Sequence, residues 1–512
     1  MTLCGTTRWM STMLALVFLL IGGASLLAQD EPTRPPRSLE EKMQRFHRRA
    51  EKWQRIGGIM KDFQPLVEQG QFARAEALLD RALGILEVGP GDPANMEHLD
   101  RFRREVDETQ YLVLPLKEVG HLYGGRVAEL EEAVEEMKRR LGPVSDPAKR
   151  NWGFHLIIPA WRLDPDHFFK EQADPQTLAR GVKAAFDVAL RHETAVYFTV
   201  ENLEWTNRPD LWNYADREKP GYDPDNVRNV EWMDWDRTPH PHRYRDWGTP
   251  EQMPPVICYN SPEVLKEVSR IARAVIAPSI AAGLDRLAEA GKAHLFAGVT
   301  VGAEPVLPNY EGIDKFNPRI ARMMDRDGVP RSRLGYNALT NLGYSQADPP
   351  EDFAAALAKV NQDYISYWAT ELAEGGIPAE KMYTHVAAGA GLIGSPGVQY
   401  TNAPISIALV DSCRPGWTTY PVGPLRDDFR VLYEELAAHG NPPWASTEAS
   451  PRGLGLGGVS MGKYLSRHFD FGATVVVFNT GATSRELAGR LDDAVWGEEA
   501  IQAYRDYLGL RL

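Results

Sequence analysis

From residue 151 onward, short apolar and β-branched runs alternate with longer stretches whose apolar residues recur at helical spacing. The runs fall at 154–159, 195–200, 256–259, 295–301, 382–386, 405–410, 444–447 and 473–478. Helical patterns occupy 177–191, 262–290, 351–374, 427–438 and 460–468, and a last one covers about 486–508. Strands that alternate with helices predict a parallel sheet, because each crossover needs a helix to return the chain. Eight such units predict closure into an α/β barrel of the (β/α)8 type. Two units are poorly supported. No helical pattern separates the second and third runs, and residues 387–404 between the fifth and sixth are rich in Gly and Pro. An open doubly wound sheet is the alternative, but no GxGxxG follows the first run.

The N-terminal part reads differently. Arg8 is the only charge before Asp30, and Met13 to Ile21 is an unbroken apolar run. Small residues and Leu26-Leu27-Ala28 follow, the pattern of a cleaved signal peptide over 1–28 and hence of export. The run is short for a membrane span. Residues 29–38 are polar and Pro-rich, a linker. Residues 39–150 read as a helical accessory region before a barrel domain at 151–512. Within it, 71–83 resembles one helix of a tetratricopeptide hairpin, with no second copy at a fixed period. No protein partner for this region follows from the pattern.

The formal net charge of −13 argues against a nucleic-acid partner, since phosphate binding needs a basic surface. Once the signal is cleaved, Cys258 and Cys413 remain and could pair. No CxxC or Cys/His cluster suggests a metal. Neither metal nor organic cofactor is expected.

In a barrel, function gathers where strands end and βα loops begin. At those positions the chain carries Trp161 and Arg162, then Glu201, Asn202 and Trp205, then Asn260, Glu304 and His385. Asp411, Arg414 and Trp417 follow the sixth run, Glu448 ends the seventh and Asn479 the eighth. Glu304 and Glu448 are each a lone acid closing an otherwise uncharged strand, and each taken alone could be an ordinary surface acid. On the fourth and seventh strands the two would face each other across the mouth. Two facing carboxyls are what glycosidic hydrolysis needs: one protonates the leaving oxygen, the other attacks the anomeric carbon or activates water.

The stretch 201–259 interleaves Trp205, Trp212, Tyr214, Trp232, Trp235 and Tyr244 with charged residues. Aromatic faces stack on sugar rings and charged groups bond hydroxyls, so a carbohydrate site is one reading; an aromatic-stabilised loop is the other. The glycines of 453–458 lack the Lys-Ser/Thr of a phosphate loop. Ser446 lies in no GxSxG.

Over residues 152–512 the chain resembles the clan of (β/α)8 retaining glycosidases that includes β-galactosidases and endo-glycanases. The resemblance rests on Glu304 and Glu448 and on Pro255-Val-Ile-Cys-Tyr-Asn-Ser-Pro, which looks like a third-strand segment of the β-galactosidase branch. It implies Glu304 as acid/base and Glu448 as nucleophile, with Trp161, Arg162, Glu201, Asn202, Trp205, Asn260, His385, Asp411, Trp417 and Asn479 around a carbohydrate. The clan carries Asn just before the acid/base, whereas this chain has Ala303; Asn202 or Asn260 is expected to take that part. The segment 301–310 also resembles β-amylases, which invert. A non-catalytic carbohydrate-binding protein and a transglycosylase are the rival functions.

Overall fold

The computed structural model describes residues 99–509 apart from 116–126, 145, 163–174, 203–204, 246–250, 388–401, 420–427, 450–459 and 479–494, with a few positions between 65 and 75. The expected signal peptide and linker lie outside the described residues, as does most of the tetratricopeptide-like helix. Residues Met1–Glu87 and Val88–Leu512 form separate compact units. In the first, Ala75 is buried and its N–H bonds the carbonyl of Gln71.

The second unit is an eight-stranded parallel barrel. In chain order the strands are β1 Gln110–Pro115, β2 Arg150–Pro159, β3 Ala195–Glu201, β4 Phe296–Ala303, β5 Met382–His385, β6 Gly416–Thr418, β7 Trp444–Ala449 and β8 Ala473–Phe478. β1 pairs with both β2 and β8, and pairing runs on from β2 through β3 and β4 to β5 and from β8 through β7 to β6. Bridges Tyr383↔Arg414 and Val386↔Trp417 join β5 to β6 and close the ring.

Two layers of packing hold it. Inside the ring Tyr111, Val113, Ala195, Tyr197, Ala297, Tyr383, Ala445, Val475 and Val477 form a closed core. Two tyrosine hydroxyls there find threonines, Tyr197 with Thr300 at 2.7 Å and Tyr383 with Thr474 at 2.9 Å, so the large rings are buried without stranding a polar atom. Outside, strand residues such as Leu112, Phe154 and Phe198 pack under the helices. These are α1 Val127–Leu141, α2 Pro175–His192, α3 Pro262–Ile271 continued by α4 Ala277–Glu289, α5 Phe353–Glu374, α6 Asp428–Ala438, α7 Met461–Phe469 and α8 Glu498–Tyr507. Their starts follow local chemistry. Pro175 opens α2, and the Asp352 and Ser460 side chains accept N–H bonds from Ala355 and Lys463 to cap α5 and α7. Helix α4 approaches α2 closely at Gly283, where a Cβ would stand 2.1 Å from the Phe186 ring.

Three expectations change. The first strand, β1, lies inside the segment assigned to helices. Its run Tyr111-Leu-Val-Leu is buried on both faces, so it shows no alternation to distinguish it among charged helical neighbours. Residues 256–259 are not a barrel strand: Ile257 makes a lone antiparallel bridge to Val230 in the loop between β3 and α3. The β-galactosidase-like fragment therefore does not occupy the third strand. Residues Ile405–Ala408 form a 3-10 turn, and β6 comes later, at Gly416–Thr418. Cys258 and Cys413 are both buried and free. Among the described residues, no helix is long and apolar enough to cross a membrane.

Candidate active site

Parallel strands bring all their C-terminal ends to one mouth. Three side chains meet there. His385, at the end of β5, places Nε2 3.2 Å from Oε2 of Glu448 and 3.6 Å from Oε1 of Glu304. One carboxylate oxygen of each glutamate and this nitrogen all lie within 4.8 Å of one another.

Backbone geometry positions them. Strand β4 bends at its end through Gly302, at φ +60°, and Glu304 itself is left-handed at φ +48°. A non-glycine residue there costs about 1–3 kcal/mol and persists where its surroundings hold it. The holding contact is the Glu304 N–H, which donates to the His385 carbonyl at 3.0 Å. On the other side, β7 carries Glu448 opposite Thr418 of β6. The Thr418 hydroxyl donates to Glu448 Oε2 at 3.5 Å and stands 2.9 Å from His385 Nε2. Burial opposes a charged His385 ring, but the hydrogen bond to Glu448 and the two negative charges outweigh it, and its pKa is raised. The ring is 7% exposed, and the carboxylates are more open at 21% and 15%, so a ligand reaches the acids before the imidazole.

Across the mouth stand residues that strand-end reading misses. His155 of β2 and Thr199 of β3 pair at 2.7 Å, and the His155 ring lies 6.1 Å from that of inward-facing Tyr197. The alternation Tyr197, Thr199, Glu201 puts Glu201 on the same inner face, half-buried at the strand end. The signal was the parity of β3, hidden because inward residues before the last lie within the strand.

The other expected site residues are placed elsewhere. Trp417 is fully buried on the outer side of β6, its indole N–H donating to Ile405 O at 3.0 Å and its ring against Trp444. Asp411 is exposed in the turn leading into β6, at the end opposite the mouth, because β6 begins after it. Arg414, also before β6, holds Glu108. Asn260 braces a loop, donating to Ala338 O at 2.9 Å and accepting from Asn341 at 3.1 Å. Asn202 is buried, its carbonyl accepting from Trp161 and its side-chain nitrogen 3.1 Å from where a Cβ on Gly302 would stand. Trp161 packs edge-on against Trp368 of α5 and near Trp205. Asn479 and the Arg162 side chain lie outside the described residues.

The aromatic loop is largely self-anchored. The indole N–H groups of Trp205, Trp212 and Trp232 donate to the carbonyls of Pro255, Trp205 and Val227. Beneath it Glu231 is fully buried, with Ala338 N–H at 3.5 Å from Oε2, and burial pushes its pKa up to about 8. The loop thus conforms to the aromatic-stabilised reading at these three tryptophans.

The ring of β-strands with acids at the ends of β4 and β7 defines the class: a (β/α)8 barrel whose mouth carries a carboxylate pair. No protein-family model and no curated protein matches the chain. Among solved structures it is similar to the PgaB (BpsB) glycoside hydrolase domain from Bordetella bronchiseptica, at 13% identity over 79% of this chain and 100% of that one, TM-score 0.43. It is also similar to a β-amylase catalytic domain from Paenibacillus polymyxa, at 9% identity over 79% and 98%, TM-score 0.42. A β-1,4-mannanase from the sea hare Aplysia kurodai aligns at 10% identity over 79% and 96%, TM-score 0.37. With values this low, the chemistry has to be read from the side chains in the mouth.

Proposed function

We propose that the protein is an exported glycoside hydrolase, with Glu304 as general acid/base and Glu448 as nucleophile. The observation that carries this reading is the pair of carboxylate oxygens within 4.8 Å across the barrel mouth. Two oxygens this close are compatible with the carboxyl separation of about 5–5.5 Å that goes with retention, against about 6.5–9.5 Å for inversion. Glu448 attacks the anomeric carbon as the glycosidic C–O bond breaks and the Glu304 proton passes to the leaving oxygen. Water then adds at that carbon, gives its proton to Glu304 and frees Glu448. His385 and Thr418 hold the Glu448 carboxylate at its oxygen Oε2, which fixes the direction in which the other oxygen can attack. Glu201, His155 and Thr199 supply polar groups on the opposite wall for sugar hydroxyls. Export rests on the sequence of residues 1–28.

The test is a panel of aryl-glycosides and polysaccharides with the purified protein and Glu448→Gln. Hydrolysis of one class, abolished in the variant with the fold intact, is expected. Full activity in Glu448→Gln would remove the nucleophile assignment, and sugar binding without turnover would favour the binding-protein reading that Ala303 feeds.

A further inference from the structure

The mouth holds a donor set that two carboxylates alone would not provide. Imidazole nitrogen and carboxylate oxygen are both donor types that zinc takes, and a site with three protein donors keeps a fourth position for water. A metal here would displace the proton that the His385 ring shares with Glu448. Zinc–ligand bonds of about 2.0–2.2 Å in a tetrahedron set neighbouring donors about 3.4 Å apart. His385 Nε2 stands 3.2 Å from Glu448 Oε2 and 3.6 Å from Glu304 Oε1, so two of the three edges already have that length. The third, between an oxygen of Glu304 and one of Glu448, is within 4.8 Å. The imidazole is fixed: its ring is buried, Thr418 stands at its Nε2, and its main chain is tied to Glu304 N–H. A buried nitrogen with one oxygen of Glu448 and one of Glu304 at these distances is arranged for one small cation.

A second group of similar composition, Glu131, Glu135 and His192, lies on the surface of α1 and α2 and makes a useful contrast. There Arg191 already takes both Glu131 oxygens, at 2.8 and 3.0 Å, and puts a positive charge where a cation would sit.

We infer that Glu304, His385 and Glu448 bind one divalent transition-metal ion of the Zn²⁺ class, and that the ion excludes the glycosidic reaction while it is bound. The imidazole and the three-donor set favour borderline ions over Mg²⁺ and Ca²⁺, which need six or more oxygens. Exclusion follows because an ion between the two acids occupies the space the anomeric carbon must enter, draws electron density from the Glu448 carboxylate and leaves Glu304 no proton to give. The binding half stands on the side-chain geometry; the inhibitory half rests on the proposed hydrolase function.

The experiment is calorimetric titration of the full-length protein, freed of any histidine tag, with ZnCl₂, MgCl₂ and CaCl₂. One equivalent of Zn²⁺ is expected to bind, with neither of the others competing at millimolar concentration. His385→Ala and the near-isosteric Glu448→Gln should each weaken Zn²⁺ binding at least about tenfold, the low end of what even outer partners of a ligand contribute. Melting curves of the two variants check that the fold survives. Glu131→Gln combined with His192→Asn should leave the binding unchanged. Absence of Zn²⁺ binding, or binding lost with the surface pair and kept in the mouth variants, overturns the inference. Where hydrolysis is found, Zn²⁺ should suppress it in step with occupancy and a chelator should restore it; activity unchanged at full occupancy overturns the inhibitory half. Zn²⁺ binding by a protein that cleaves no glycoside sinks the hydrolase reading and leaves the metal site standing.

Discussion

The two ends of the barrel use charged residues in opposite ways. At the floor, Glu108 before β1 receives both terminal nitrogens of Arg414 at 2.7 Å, and the Lys381 ammonium lies 5.1 Å from the centre of the Tyr111 ring. Burial lowers the Lys381 pKa to about 8, and the floor's acid is matched by a fork of two donors. At the mouth, Glu304 and Glu448 share one imidazole between them. Like charges held close cost energy, which is the feature the proposed hydrolysis would use. The strands are the same at both ends; only the direction of the chain differs. In parallel barrels the C-terminal ends open into loops that can vary, and the N-terminal ends are sealed for stability.

The sharpest way to break this comparison is to change an acid at the mouth. Glu448→Gln is expected to eliminate turnover while the melting temperature stays within a few degrees of the parent's; a large drop in melting temperature would make Glu448 a structural residue instead. Glu304→Gln should lower kcat by about 10²–10⁴-fold, the usual worth of a general acid/base, with a smaller loss on aryl-glycosides whose leaving groups need little protonation. An equal loss on all leaving groups would count against the acid role.

The floor should answer in the other currency. Arg414→Ala is expected to lower stability by about 1–3 kcal/mol in denaturant unfolding, with kcat/KM for the best substrate unchanged. The figure is modest because Glu108 is 41% exposed and water replaces part of the pair. Loss of activity at full stability would mean that the floor is coupled to the mouth.

The smallest effect concerns the loop between β3 and α3. Glu231 is held protonated by burial, with its pKa raised to about 8 from an ordinary 4.5. Between those values the folded chain keeps a proton that the unfolded chain has lost, so stability falls as pH rises through that window. Glu231→Gln should flatten this slope of melting temperature against pH. An unchanged slope would show that Glu231 ionises elsewhere or is not buried as described.

What the amino-acid sequence determined by itself was the alternation that makes a parallel barrel and the identity of its two mouth acids. Strand ends are legible because an isolated carboxylate after an apolar run has few alternatives, and parallel strands send every such end to one side. Apolar runs alone still place Glu304 and Glu448 on the fourth and seventh strands, because β1 is hidden in a charged segment while the loop bridge at Ile257 mimics a strand. Tertiary structure decided the rest. Whether a strand residue faces the mouth or the helices depends on parity, and register shifts between Trp417 and Thr418 and between Thr300 and Ala303 reset that parity late. Thus Trp417 is sent outward while its neighbour Thr418 reaches Glu448. His385 was visible as a strand-end histidine, but its place between the two acids exists only once β4, β5 and β7 are assembled in one ring. The contact is made by strands far apart in sequence, and no local pattern encodes a distance between them.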